Sequence, residues 1–253
     1  MVHFVSQTRL GVWRATLSAA KPLLILSFML TALAAPVNAS SVTQDWLAGV
    51  PEDGGMYAYE ISRKGKRLGF QTLEFAKLEN GDLQVDVHIE IDFAIIIPLF
   101  TYTHDNREIW RDGKMLLLTS RTDNNGEDTF VDLRAEGDKL VGDGTDYEDN
   151  LSSDLLSTSY FNPNFIRQSE IVSSQDGRLL KINIEEIGRE TLYLEIGTVE
   201  ATRFRLTGKL RIDIWYTDDG RWVKTEFTRG GNTLVIEQVN PASVPARNKW
   251  RQP

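Results

Sequence analysis

Cysteine is absent from all 253 residues. No disulfide can staple this chain, and no lipid-modified cysteine can follow a leader, so an exported form would stand on its apolar core alone. Histidine is nearly as scarce: His3, His88 and His104, too few for a zinc site built on imidazole. There is no G-x-S-x-G elbow and no glycine-rich phosphate loop. The acidic turns around Asp138, Asp143, Asp146, Glu148 and Asp149, and around Asp123, Glu127 and Asp128, do not follow the spacing of a calcium loop and read as solvated. These absences leave no catalytic residue, metal ligand or cofactor to assign. Basic charge is the minority, with 28 Lys and Arg against 36 Asp and Glu and a net charge of −8. That balance argues against nucleic acid or anionic headgroups as partners. Helical periodicity is almost missing.

What is present begins with a leader. Arg9, Arg14 and Lys21 precede a largely apolar run, Pro22–Ala35, and then Val37-Asn38-Ala39. A basic start, a short apolar stretch and a small-x-small site are the marks of a secretory signal peptide. The expected cleavage follows Ala39, with Ala34 a second site. At 14 residues the run is short of the roughly 20 that span a bilayer as a helix. Removing residues 1–39 moves the net charge from −8 to −11, and no later segment is long enough to span. The expected location is periplasmic or secreted. The expected organisation is a signal peptide over 1–39, a lead-in over 40–55, one antiparallel β domain over 56–240 and a disordered tail over 241–253.

The β expectation rests on period two. In Asp82–Phe93, the residues Leu83, Val85, Val87, Ile89, Ile91 and Phe93 share one face, and polar residues fill the other, as in a half-buried antiparallel strand. Turn pairs such as Lys64-Gly65, Asp112-Gly113 and Asn125-Gly126 divide the chain at hairpin spacing. The pattern predicts an all-β fold: a strongly curved antiparallel sheet, half-barrel or barrel, of roughly ten to twelve strands. Val199–Tyr216 is read as one long strand kinked at Gly208, because a two-residue hairpin there would mix its faces and a three-residue loop, which keeps them, would strand Leu210 at its tip. Asp45–Gly49 is expected to form a helical turn, and a short helix is expected after Ser152 or Ser153, broken by Pro163.

Several blocks resemble an exported bacterial domain-of-unknown-function family, family 6134. They are Tyr59-Glu60-Ile61 with Arg63, Gly65, Lys66 and Gly69, then Phe100-x-Tyr102-x-His104 and Glu108-Ile109-Trp110. Asp112-Gly113, Thr122-Asp123-x-x-Gly126, Thr158–Asn162 and Asp213–Tyr216 with Trp222-Val223 complete the set. The resemblance covers almost all of the chain after the leader. It implies an all-β, periplasmic or secreted protein with no assigned activity.

Phe100–Trp110 carries the most chemistry. As one strand it aligns Phe100, Tyr102, His104, Glu108 and Trp110, either as a wall for an apolar ligand with a polar head or as a core strand with satisfied polar groups. Tyr102, His104, Glu108, Trp110 and Trp215 are the candidate ligand-binding residues. Ala94–Phe100 is either a doubly buried strand or an apolar lip. Arg203, Arg205, Lys209 and Arg211 form a cationic stripe, expected to pair with acids such as Glu186 or Glu195 or else to meet an anionic group. Three functions stay open: a binder of a hydrophobic or lipid-like small molecule, a secreted hydrolase using His104 and Glu108, or an interaction module with a filled core. Protein partners are not identified.

Overall fold

The computed structural model describes residues 42–43, 45–94, 99–207, 211–229 and 232–245. The expected leader over 1–39 therefore lies outside the described residues, as do Ile95–Pro98 of the apolar run and Gly208, Lys209 and Leu210. Fifteen strands occur among the described residues, more than the ten to twelve expected. In chain order they are β1 (Gly55–Arg63), β2 (Lys66–Lys77), β3 (Leu83–Ala94), β4 (Leu99–Arg111), β5 (Lys114–Asn124), β6 (Glu127–Glu136), β7 (Lys139–Gly144) and β8 (Leu151–Ser152). After an irregular segment come β9 (Glu170–Val172), β10 (Leu179–Lys181), β11 (Asn183–Leu194), β12 (Gly197–Thr207), β13 (Arg211–Tyr216), β14 (Trp222–Arg229) and β15 (Asn232–Val239).

Thirteen of these make one antiparallel sheet in the order β11-β12-β13-β14-β15-β1-β2-β3-β4-β5-β6-β7-β8, and β9 pairs only with β10. The sheet does not close, because β11 and β8 are its two edges. Its meander follows from turn chemistry. Lys64-Gly65, Asp112-Gly113 and Asn125-Gly126 all have positive φ at both positions, the two-residue hairpin geometry that matches strand twist. The kinked strand expected over Val199–Tyr216 is instead a hairpin. Leu206 pairs with Ile212 and Phe204 with Ile214. A three-residue connection preserves parity, so both strands keep their apolar faces together.

One face of the sheet and the segment between β8 and β11 make a single core. Tyr59, Leu73, Val87, Trp110, Leu118, Leu133, Phe204, Ile214 and Trp222 contribute from the strands. Leu156, Tyr160, Phe161, Phe165, Ile171 and Val172 contribute from the segment, which lies across the inner face as a plug. The expected helix before Pro163 is absent. Pro163 instead opens a 3-10 turn, Pro163–Arg167, whose first amide is capped by Asn162. Proline suits that position because its missing N–H has no helical partner there. Tyr160 takes the left-handed conformation at φ 62°. Tyr216 donates its hydroxyl to the Tyr160 carbonyl at 2.7 Å, and the Tyr160 ring meets Phe165 and Trp222 edge-on. Packing thus holds a conformation that is unfavourable for a bulky residue.

The lead-in covers one end of the inner face. Val42 is buried, Thr43 donates its amide to the Asp218 carbonyl, and Trp46 lies against Gly113. Residues Asp45–Gly49 form a turn closed by Ala48 N–H to the Asp45 carbonyl. At the other end of the chain, Pro241–Ser243 makes a short 3-10 turn, and 246–253 of the expected tail lies outside the described residues. The opposite end of the sheet carries the β1–β2 and β5–β6 connections and the C-terminal ends of β3, β12 and β14.

Candidate functional site

Alternation along β4 sends Tyr102, His104, Asn106, Glu108 and Trp110 to the inner face. Four of the five candidate residues therefore share one wall. Trp110 is enclosed, 1% exposed, and meets Phe161 of the plug edge-on at 5.6 Å. The gap beside it, lined by Leu156, Ser157, Ser159, Tyr160, Phe161 and Phe165 among others, has no room for a water molecule.

Glu108 is fully buried, yet its carboxylate is saturated. Oε1 accepts from Asn106 Nδ2 at 2.8 Å and from Ser157 Oγ at 2.6 Å. Oε2 accepts from Trp110 Nε1 at 2.8 Å and from Ser159 Oγ at 3.3 Å. Four donors match the acceptor sites of an ionised carboxylate. Burial pushes its pKa up, the four hydrogen bonds pull it back, and it stays above the ordinary carboxylate value. Two donors come from the wall and two from the plug, so Glu108 pins the plug to β4.

His104 repeats the arrangement higher on the same wall. Its Nδ1 lies 2.8 Å from Thr122 Oγ1 on β5, and its Nε2 lies 3.3 Å from Ser174 Oγ on the plug. Burial holds its pKa down to about 4, so the ring is neutral at pH 7. Ser120 donates to the Ser174 carbonyl, and Thr129 donates to the Gln175 carbonyl at 2.8 Å. Tyr102, half-buried, reaches Gln175 Oε1 at 3.5 Å, and burial pushes its hydroxyl up to about 12. The wall is joined to the plug by a polar seam.

This geometry disfavours acid–base chemistry between His104 and Glu108. Four residues of extended strand separate them, about 13 Å, and each is bound to different hydroxyls. A Ser174–His104 pair exists, but the far nitrogen of the ring meets Thr122 rather than a carboxylate, and the pair is buried. It lacks the orienting acid and the access of a serine nucleophile.

Trp215 is not brought to the other four. It projects from the opposite face of β13, in a second cluster with Leu192, Ala201 and Val223. Arg203 and Lys224 lie over its ring at 4.9 and 5.1 Å, and its Nε1 donates to Glu190 Oε2 at 2.9 Å. The outer ends of β11 and β12 extend past β13, and Glu195 at their tip accepts from the Asn240 amide. Trp215 is covered by that hairpin. Of the cationic stripe, Lys209 lies outside the described residues; Arg203 and Arg205 bind Asp213 rather than Glu186 or Glu195, and Arg203 also binds Glu190.

Sequence reasoning missed the plug's share of the seam, Ser157, Ser159 and Ser174, and the wall residues Asn106 and Thr122. The serine-rich run Ser152–Ser159 was the available signal. It also missed Gln71 and Gln238, buried amides at apolar-parity positions of β2 and β15.

The open thirteen-stranded sheet wrapped on a plug defines a β-barrel-like protein. The chain belongs to the family described as domain of unknown function (DUF6134), whose model matches residues 59–239. The crystal structure of a β-barrel-like protein of domain of unknown function DUF1849 from Brucella abortus is similar to it, with a TM-score of 0.56 and 10% identity over 75% of this chain and 97% of that one. At that identity the likeness speaks for the fold alone. LprF from Mycobacterium bovis matches over 76% of this chain and 88% of its own, at 12% identity and a TM-score of 0.31, too low to carry an argument. Among curated proteins none matches.

Proposed function

We propose that this protein is an exported carrier of a hydrophobic, lipid-like molecule, held at the end of the inner face away from the lead-in. The observation that carries this reading is a set of apolar side chains that face inward yet remain half-buried: Ile89, Ile184, Phe227, Leu234 and Ile236. Ile89, Ile184, Phe227 and Ile236 pack against the edge of the core without being enclosed by it. An apolar patch of this kind, rimmed by polar groups, suits a ligand that water would otherwise have to wet. Tyr102 stands at its edge. His104, Glu108 and Trp110 then act beneath it, anchoring the plug rather than touching ligand. The leader over residues 1–39 supports export to the periplasm or beyond.

A filled-core interaction module is the second reading, favoured by the water-excluding gap at Trp110. Native mass spectrometry of residues 40–253, recovered from a bacterial periplasm without detergent, separates the two. A carrier shows a reproducible added mass that disappears on denaturation. A clean apo mass under those conditions would favour the module.

A further inference from the structure

Gln238 sits on the core parity of β15, directly opposite Tyr59 of β1. It is 4% exposed, and its Oε1 has no hydrogen-bond partner among the described residues. A buried amide oxygen without a donor carries its full desolvation penalty, so native proteins rarely leave one. Two neighbouring donors are already spent. Tyr59 gives its hydroxyl to the Trp222 carbonyl at 3.0 Å, and the Trp222 indole goes to Thr225 Oγ1 at 2.8 Å and to the Lys224 carbonyl at 3.1 Å.

From Gln238 an apolar track runs outward along β15. Ile236 lies two residues on and Leu234 four, roughly 7 and 14 Å at the rise of a strand. Ile61 of β1 stands beside Ile236, and Phe227 of β14 beside Leu234. The track ends at the half-buried patch described above. Charge gives a further constraint. The inner row that continues from Tyr59 through Gln71, Ile89, His104 and Thr122 contains no Lys or Arg. Arg203 and Arg205, held by Asp213, and Lys224, held by Glu226 and Glu237, belong to the other face, whereas Arg63 continues the parity of Tyr59 and Ile61 toward the outer end of the track. A carboxylate head placed against Gln238 Oε1 would set acceptor against acceptor, whereas a hydroxyl or amide head supplies the missing donor.

We infer that the ligand is a neutral amphiphile whose hydroxyl or amide head donates to Gln238 Oε1 while its chain follows Ile236 and Leu234 outward. The inference rests on the carrier reading and adds the headgroup class. The test is displacement of N-phenyl-1-naphthylamine from the protein at pH 8 by three twelve-carbon competitors: monolauroylglycerol, lauramide and laurate. The two neutral donors should displace the probe at concentrations about tenfold lower than laurate, the worth of one hydrogen bond of about 1.4 kcal/mol. Gln238→Met, close in volume, should shrink that gap to under about twofold. Gln238→Leu serves as a second variant, and the wild-type comparison of head groups stands without either. Equal displacement by laurate, or a gap that survives in a folded variant, would overturn the headgroup assignment and leave the carrier intact. Failure of naphthylamine itself to bind would overturn both.

Discussion

Glu108 and Trp110, two residues apart on β4, hydrogen-bond each other inside the protein, indole Nε1 to carboxylate Oε2 at 2.8 Å. Asp213 and Trp215 repeat the spacing and the intervening isoleucine on β13 but face the other way. There the indole turns to Glu190 and the carboxylate to Arg203 and Arg205. The difference is one of parity. On β4 the isoleucine points out and the acid–tryptophan pair points in; on β13 Ile214 enters the core and the pair is left outside. The same acid-isoleucine-tryptophan pattern therefore builds a plug anchor on one strand and a hairpin anchor on the other.

Removing the Glu108 carboxylate should loosen the plug. Glu108→Leu strands the Asn106 and Trp110 N–H groups, which cannot rotate to new partners as the two serines can. At about 1–3 kcal/mol for each buried donor left unpaired, urea unfolding should show a loss of about 2–5 kcal/mol. Glu108→Gln keeps one oxygen and should lose roughly half as much. A change below about 0.5 kcal/mol in both variants would mean that the seam does not hold the plug.

The two tryptophans should separate by readout. Trp110→Ala should destabilise by about 3–5 kcal/mol, the range for a large aromatic lost from a packed core, because Phe161 loses its edge-on partner. Trp215→Ala should also destabilise, yet its first visible effect should be protease cleavage within Glu190–Glu200, where the outer hairpin loses its anchor. Affinity for an apolar probe should be unchanged in Trp215→Ala. A fall in probe affinity would return Trp215 to the ligand wall.

Much of this architecture was legible because strand parity and turn chemistry are local. Asp82–Phe93 alternates so regularly that its face assignment follows from the sequence, and the Asp112-Gly113 and Asn125-Gly126 turns state their own geometry. The antiparallel pairing of β12 with β13 was not legible. One long strand and a three-residue loop give the same parity to Leu206 and Ile212, and only pairing distinguishes them. The plug was hidden for a related reason: Leu156, Tyr160, Phe161 and Phe165 have no period, so their shared burial arises from a path no local pattern encodes. Of the candidate site, the common face of Tyr102, His104, Glu108 and Trp110 was readable from alternation. Their partners Ser157, Ser159 and Ser174 were not, being about 50 to 70 residues away in sequence.

Acid should weaken the protein through His104. Its pKa is 6.5 when exposed and is held down to about 4 in the fold, so the unfolded chain binds the extra proton between those values. Stability is therefore fully present above pH 6.5 and is lost as pH falls toward 4, by about 3 kcal/mol at 1.36 kcal/mol for each unit. Glu108 acts with the opposite sign. Its folded pKa is raised, so ionisation above the ordinary value of 4.5 costs the folded state and its contribution declines as pH rises. Replacing His104 by Gln isolates the first effect. The stability difference between wild type and His104→Gln should shrink by about 3 kcal/mol from pH 7 to pH 4. A difference constant within about 0.5 kcal/mol would show that His104 is not kept neutral by burial.

Substitutions at the half-buried patch should do the reverse of those beneath it. Ile89 and Phe227 face inward but are only partly covered, so Ile89→Asn or Phe227→Ser removes less buried area than a core deletion and should cost about 1–2 kcal/mol. If a ligand covers these side chains when bound, each polar replacement removes apolar contact and leaves a polar group to be desolvated. Affinity for an apolar probe should then fall about tenfold. Tyr193, 83% exposed on the outer hairpin, provides the control: Tyr193→Ser should change neither stability nor binding. Equilibrium fluorescence titration beside urea unfolding reads both quantities on the same samples. Unchanged affinity in both inner variants, with the control also silent, would move the binding surface elsewhere and leave the patch as an incompletely covered edge of the core.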